Sequence, residues 1–133
     1  MANYFGTART NYFRVKNIET FMKSVKDYKV IVVKNDEGKV ALLDDSYYGA
    51  FEFRLLNEET YEYDESTHLI DLVSSHLEEE EVAIFISAGA EKKVYISGFS
   101  IAVNSKNQRK TINLDNIYKK AKKLGKNITR AEC

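Results

Sequence analysis

His68, Asp71 and His76, followed by the run Glu78, Glu79, Glu80 and Glu81, bring imidazole and carboxylate groups together in one short stretch. Such groups bind divalent metals or move protons. Their spacing argues against both uses. His68 and Asp71 share a face of a helix, but His76 lies eight residues beyond His68, no second histidine stands four residues away, and no cysteine joins them. No metal and no other cofactor is therefore expected. Paired acids such as Asp44 and Asp45 are too common to imply acid–base catalysis, and no serine or cysteine carries a local nucleophile signature. The chain reads as a binding protein rather than an enzyme.

The chemistry that the sequence offers is recognition. Residues 44–65 interleave Tyr47, Tyr48, Phe51, Phe53, Tyr61 and Tyr63 with Asp44, Asp45, Glu52, Glu58, Glu59, Glu62, Asp64 and Glu65. Tyrosine provides broad amphipathic contact at little entropic cost, and spaced carboxylates can replace phosphates opposite the lysines and arginines of a nucleic-acid-binding protein. Asp44, Asp45, Tyr47, Tyr48, Glu62 and Asp64 are accordingly expected to form a docking surface for a basic protein. The alternative is that Phe51 and Phe53 belong to the core while the acids solvate a loop. A second candidate patch is Arg9 with Asn11, where a short polar stretch beginning at Gly6 could hold an anion or serve only as a lead-in loop.

Charge is sorted along the chain. The formal net charge is zero, with 20 basic and 20 acidic side chains, yet residues 1–35 carry +5, residues 36–81 carry −13 and residues 82–133 carry +8. Clustered charge creates a field that a zero sum hides, and such fields steer partners. In the basic C-terminal part, Lys119, Lys120, Lys122 and Lys123 fall on one predicted helix. They could follow a phosphate backbone, or they could be a solvated helix face that complements the helix dipole.

The elements that must position these groups follow from periodicity. Residues 11–16 read as a first strand, and Asn17 caps a helix whose apolar stripe is Ile18, Phe21, Met22 and Val25. Residues 29–34 and 39–43 read as a hairpin around the turn 35–38, with 50–56 as a third strand. A helix starting at Ser66 or Thr67 would bury Leu69, Leu72, Val73 and Leu77 and end before the glutamate run, which would oppose the helix dipole. Strands are expected at 82–87, at 93–103 with Gly98 as a bulge, and at 110–114. Asp115 then caps a last helix with Ile117, Ala121 and Leu124 on its inner face and Gly125 as its stop.

The order β-α-β-β-β-α-β-β-β-α predicts one α+β domain over residues 1–133, with a mostly antiparallel sheet and three helices. A chain of 133 residues with 44% hydrophobic content can build such a core without staples, and its single cysteine, Cys133, rules out an intrachain disulfide. No segment has the pattern of a signal peptide or a membrane span, so a soluble cytoplasmic protein with no membrane partner is expected.

The stretch from Asn3 through Gly6, Arg9 and Asn11 to Lys16 resembles the opening of a group of small, mostly uncharacterised bacterial proteins of plasmids, conjugative elements and phages. The segment from Gly98 to Val103, the triplet Ile112, Asn113 and Leu114, and the close at Leu124 and Gly125 agree with that resemblance. It covers about half of the chain, with the acidic middle alike in composition only. The resemblance implies an anti-defence protein, an anti-CRISPR or antirestriction inhibitor that occupies the basic surface of a defence nuclease. The competing expectation is a nucleic-acid-binding accessory protein that uses the C-terminal basic helix.

Overall fold

A computed structural model describes residues 4–46, 49–92 and 95–131. Its elements are β1 (Tyr4–Thr10), α1 (Ile18–Val25), β2 (Val30–Lys34), β3 (Val40–Asp44), β4 (Leu56–Asn57), β5 (Glu62–Tyr63), α2 (Leu69–His76), β6 (Val82–Glu91), β7 (Tyr95–Asn104), β8 (Arg109–Asn113) and α3 (Asn116–Ala121). Six strands form one sheet in the order β2-β3-β1-β6-β7-β8, and every pairing in it is antiparallel. The fold is the expected α+β domain. Residues 50–56, expected as a third strand of the meander, do not join the sheet, and a separate two-stranded hairpin of β4 and β5 begins at their end.

The first strand lies seven residues earlier than the periodicity suggested. Tyr4–Thr10 pairs with β6 along its whole length, whereas residues 11–16 contribute only two isolated bridges, at Phe13 and Val15. The backbone of β1 is closely approached at Gly6. Gly49, at φ +69°, comes so near that a Cβ there would lie 1.9 Å from the Gly6 carbonyl oxygen.

Between the pairs Arg9–Leu43 and Phe13–Val40, three residues of the N-terminal segment face two of β3, so the chain bulges. Side chains complete the ladder at that point. The buried Thr10 hydroxyl accepts from the Leu42 amide (2.8 Å) and donates to the Asn11 carbonyl (2.9 Å). On the β6 side, Asn11 Oδ1 accepts from the Ile84 amide (2.7 Å), and its Nδ2 donates to the Val82 carbonyl (3.1 Å). Buried amides need partners, and polar side chains supply them where the backbone cannot.

The sheet hairpin of β2 and β3 closes as the sequence suggests. Asn35 Oδ1 accepts from the Glu37 and Lys39 amides (both 3.0 Å), and Gly38 takes the left-handed conformation at φ +77°. Asn17 caps α1 by accepting from the Thr20 amide (2.9 Å), and Phe21 and Val25 make the buried stripe. The cap of α2 is His68 rather than Ser66 or Thr67, with Nδ1 accepting from the Ile70 amide (3.2 Å). The helix stops at His76, ahead of the glutamate run as expected. Gly98 makes no bulge, because the β6–β7 register runs unbroken from Val82–Asn104 to Glu91–Tyr95. It leaves room instead for the Leu114 side chain, 3.2 Å from where a Cβ would stand.

One face of the sheet carries the core. Ala8 and Thr10 of β1, Ala83 and Phe85 of β6, Val103 of β7 and Leu42 of β3 are buried there, in one cluster with Phe21 and Val25 of α1 and with Leu69, Ile70 and Val73 of α2. Residues 51–55 pair with no strand of the sheet; Phe51 and Phe53 instead press their rings on Phe85 at 5.4 and 5.9 Å. The other face is open. One row of side chains crosses all six strands on it, in the order Ile31, Leu43, Arg9, Ile86, Ser100 and Ile112.

The last helix departs from expectation as well. It buries none of its side chains, and Ile117 and Leu124, predicted to face inward, are exposed. Asp115 makes no capping hydrogen bond. Asn113 and Asn116 satisfy each other's amides through their side-chain oxygens (2.8 and 3.1 Å), while Asp115 pairs with Arg130 at 3.3 Å.

Candidate protein-docking surface

Residues 52–65 of the acidic middle fold into a ledge beside Asp27, Tyr28 and Lys29, which lead into the edge strand β2. Arg54, the only arginine in residues 36–81, is spent on structure, with Nη1 donating to the Glu65 and Thr67 carbonyls (2.6 and 2.9 Å). The Thr67 hydroxyl accepts from the Leu55 amide (3.0 Å), and the Leu69 amide donates to the Phe53 carbonyl (2.6 Å). These bonds tie residues 53–55 to residues 65–69 and push the β4–β5 hairpin outward. Asn57 Oδ1 accepts from the Glu59 and Thr60 amides, and Tyr61 takes a positive φ of 58°, which turns the hairpin.

Two depressions adjoin on this ledge and share Leu55 and Leu56 in their lining. The first, of about 210 Å³, is bordered by Asp27, Tyr28, Lys29, Glu52, Arg54 and Glu58. The second, of about 380 Å³, is bordered by Asn57, Thr60, Glu62, Tyr63 and Asp64. Tyr61 projects beside them and is 80% exposed. The acids around this apolar floor are largely unneutralised. Lys29 pairs with Glu52 at 3.6 Å, but none of Glu58, Glu59, Glu62, Asp64 and Glu65 lies within ion-pair distance of a described basic side chain.

The residues singled out from sequence separate into distinct places. Glu62 and Asp64 are on the ledge and exposed. Asp64 accepts from the Ser66 amide (2.9 Å) and hydroxyl (2.6 Å), which holds its carboxyl below the usual carboxylate range. Asp44 is half-buried at the end of β3. Burial pushes its carboxyl above the usual range in spite of a hydrogen bond from the Ser46 hydroxyl (2.9 Å), and its Oδ1 is enclosed with no hydrogen-bond partner among the described residues. Asp45 is exposed, and its amide donates to the Lys29 carbonyl (2.9 Å). Tyr47 and Tyr48 lie outside the described residues.

Arg9 and Asn11 share no anion loop. They lie in and just after β1, where Asn11 holds Ile84 and Val82. Arg9 points to the open face, with Nε donating to the Thr10 carbonyl (2.9 Å) and its guanidinium 5.6 Å from the Tyr12 ring centre.

The two histidines and Asp71 have separate tasks. His68 caps α2 and stacks on Phe53 at 5.5 Å, and His76 packs edge-on to Phe21 at 5.5 Å. Burial lowers the pKa of both. Asp71 pairs with Arg109 and accepts from Asn107 Nδ2 (3.0 Å).

Sequence reasoning missed Asp27, Tyr28, Leu55 and Leu56, which folding brings to the ledge. The adjacent Leu55 and Leu56 inside an acidic stretch were the available signal. No protein-family model matches this chain, and neither the curated proteins nor the solved structures contain a significant match to it.

Proposed function

We infer that this chain is a small protein-binding inhibitor that uses its acidic ledge to occupy a basic surface on another protein. The observation that carries this reading is the β4–β5 hairpin, where exposed Tyr61 and Tyr63 stand among carboxylates that have no described cationic partner. Tyrosines supply contact area and the carboxylates supply negative charge that can replace phosphates opposite a basic surface. The Leu55 and Leu56 floor gives the apolar centre that a specific interface needs inside a polar rim. The resemblance of the first residues to mobile-element proteins points to a defence nuclease as the owner of that basic surface, with its nucleic-acid groove as the place blocked.

The test is an affinity pull-down of the tagged protein from bacterial lysate, with and without nuclease treatment, read by mass spectrometry. A stoichiometric basic partner that survives nuclease is expected, and the double variant Glu58→Lys with Glu62→Lys should release it. A partner retained by that variant would move the interface off the ledge. One observation favours a second reading: α3 buries nothing, and Lys119, Lys120, Lys122 and Lys123 face no described carboxylate within ion-pair distance. Recovery of nucleic acid in a salt-dependent manner, lost when those lysines are neutralised, would assign binding to α3 instead.

A further inference from the structure

The open face of the six-stranded sheet is the largest feature that the acidic ledge leaves unused. On it Phe5 is 80% exposed, and Ile96 and Ile112 are each 67% exposed, with Ile31 and Ile86 also exposed. A folded monomer of 15.3 kDa typically exposes roughly 7,100 Å². This chain exposes 9748 Å². That excess is spread over the chain, since α3 buries none of its side chains and residues 122–131 are all exposed. Strands spaced about 4.8 Å apart place β2 and β8 about 24 Å from one another, wide enough to seat a helix or a pair of strands.

Charge decides what fits. The strand residues that point to this face include two cations, Arg9 and Lys110, and no acid. Arg9 stands near the middle of the apolar row, between Leu43 and Ile86, with no described carboxylate within ion-pair distance. At the β8 end the face runs into a depression of about 620 Å³, where Ile112, Leu114 and Ile117 are rimmed by Lys119, Lys120 and Lys123.

We propose that this face docks an acidic amphipathic segment of another protein, which covers the isoleucine row and sets a carboxylate on Arg9. A second copy of this chain fits poorly, because a two-fold pairing would set apolar surface on apolar surface but leave both Arg9 guanidinium groups without an acid. Nucleic acid fits poorly as well, since the row across the strands is mostly aliphatic and the strand residues of the face supply only two cations, Arg9 and Lys110, to follow a phosphate backbone. An anionic membrane would favour cations at the rim over one held at the centre. A carboxylate meeting Arg9 in an apolar setting makes a charge-assisted pair, the strong kind of hydrogen bond. The partner's acids can also reach the lysines beside Ile112.

The probe is a display library of random 15-residue peptides panned on the immobilised full-length protein, with Arg9→Gln and Ile86→Asp variants panned in parallel. Selected peptides should combine Leu, Ile, Phe or Trp with Asp and Glu and carry net negative charge. A labelled representative, followed by fluorescence anisotropy, should bind Arg9→Gln about tenfold more weakly and Ile86→Asp not measurably. Arg9→Gln leaves the core untouched, so it keeps the test valid if Ile86→Asp fails to fold by circular dichroism. Several results would overturn the proposal: no enrichment, enrichment of basic or uncharged peptides, binding that both variants retain, or a face already covered by a second copy. The last would appear in sedimentation as a dimer that Ile86→Asp returns to monomer. Sedimentation with phosphatidylglycerol vesicles that Ile86→Asp abolishes would assign the face to membranes and also refute the proposal.

Discussion

Replacing Thr10 by Val keeps the shape of the side chain and removes one hydroxyl, at the point where β1 bulges away from β3. Thr10 and Leu42 are both fully buried, and the Leu42 amide faces the bulge, where Thr10 Oγ1 takes the place of a carbonyl at 2.8 Å. In Thr10→Val that amide has no partner and no route to water. An orphaned buried donor costs about 1–3 kcal/mol. A urea dependence of about 2 kcal/mol per M for a domain of this size converts that to a fall of roughly 0.5–1.5 M in the unfolding midpoint. The assay is urea unfolding followed by circular dichroism, paired with hydrogen exchange at the Leu42 amide. Thr10→Ser serves as the control, because it keeps the acceptor and should preserve protection at Leu42 while losing about 1 kcal/mol with its methyl group. A Thr10→Val protein that unfolds within 0.2 M of the parent, with Leu42 still protected, would refute the claim that a side chain completes this ladder.

Two further predictions concern pH. Burial raises the Asp44 carboxyl in the folded state above its unfolded value of about 3.9, so its contribution favours the fold below that pH and is lost as pH rises through the folded pKa. Asp44→Asn should therefore have the higher urea midpoint at pH 7, with the difference closing as pH falls toward 4; an equal or lower midpoint at pH 7 would contradict the burial argument. His68 and His76 are shifted the other way, so their contribution is present above the unfolded value of about 6.5 and is lost as pH falls. The midpoint of the parent should drop between pH 7 and pH 5. His68→Asn, which retains a capping acceptor for Ile70, should flatten part of that slope, and an unchanged slope would exclude His68 as a source.

Short-range signals were legible and long-range ones were not. The cap at Asn17, the turn from Asn35 to Gly38 and the stop of α2 before the glutamates depend on neighbours within four residues, and each is where the sequence puts it. The strand β1 is not, because its full-length partner β6 lies more than seventy positions away. The inner face predicted for α3 assumed that an apolar stripe finds a core, and here the sheet ends before the helix. The open face escaped notice for a related reason: β6 is apolar on both sides, a pattern that reads as a doubly covered strand. For the ledge, composition located the acids, but only the fold separates Asp44, turned partly inward, from Glu62 and Asp64, and only the fold adds Asp27 and Tyr28.

The place of β1 in the sheet also shapes how the protein is born. It precedes the other five strands of this sheet in the chain and sits third in the order, between β3 and β6, and Arg9 pairs with Ile86. At about 5–20 residues per second the ribosome delivers Ile86 some 4–15 s after Arg9. Through that interval the emerging chain can complete β2, β3 and β1, but the far side of β1 is a raw edge awaiting β6. Closing it requires contacts between distant parts of the chain, the slow kind of folding event. A strand from a neighbouring nascent chain could fill the same edge. The open edge of β1 is therefore a hazard of synthesis, and it ends when the β6–β7 hairpin arrives.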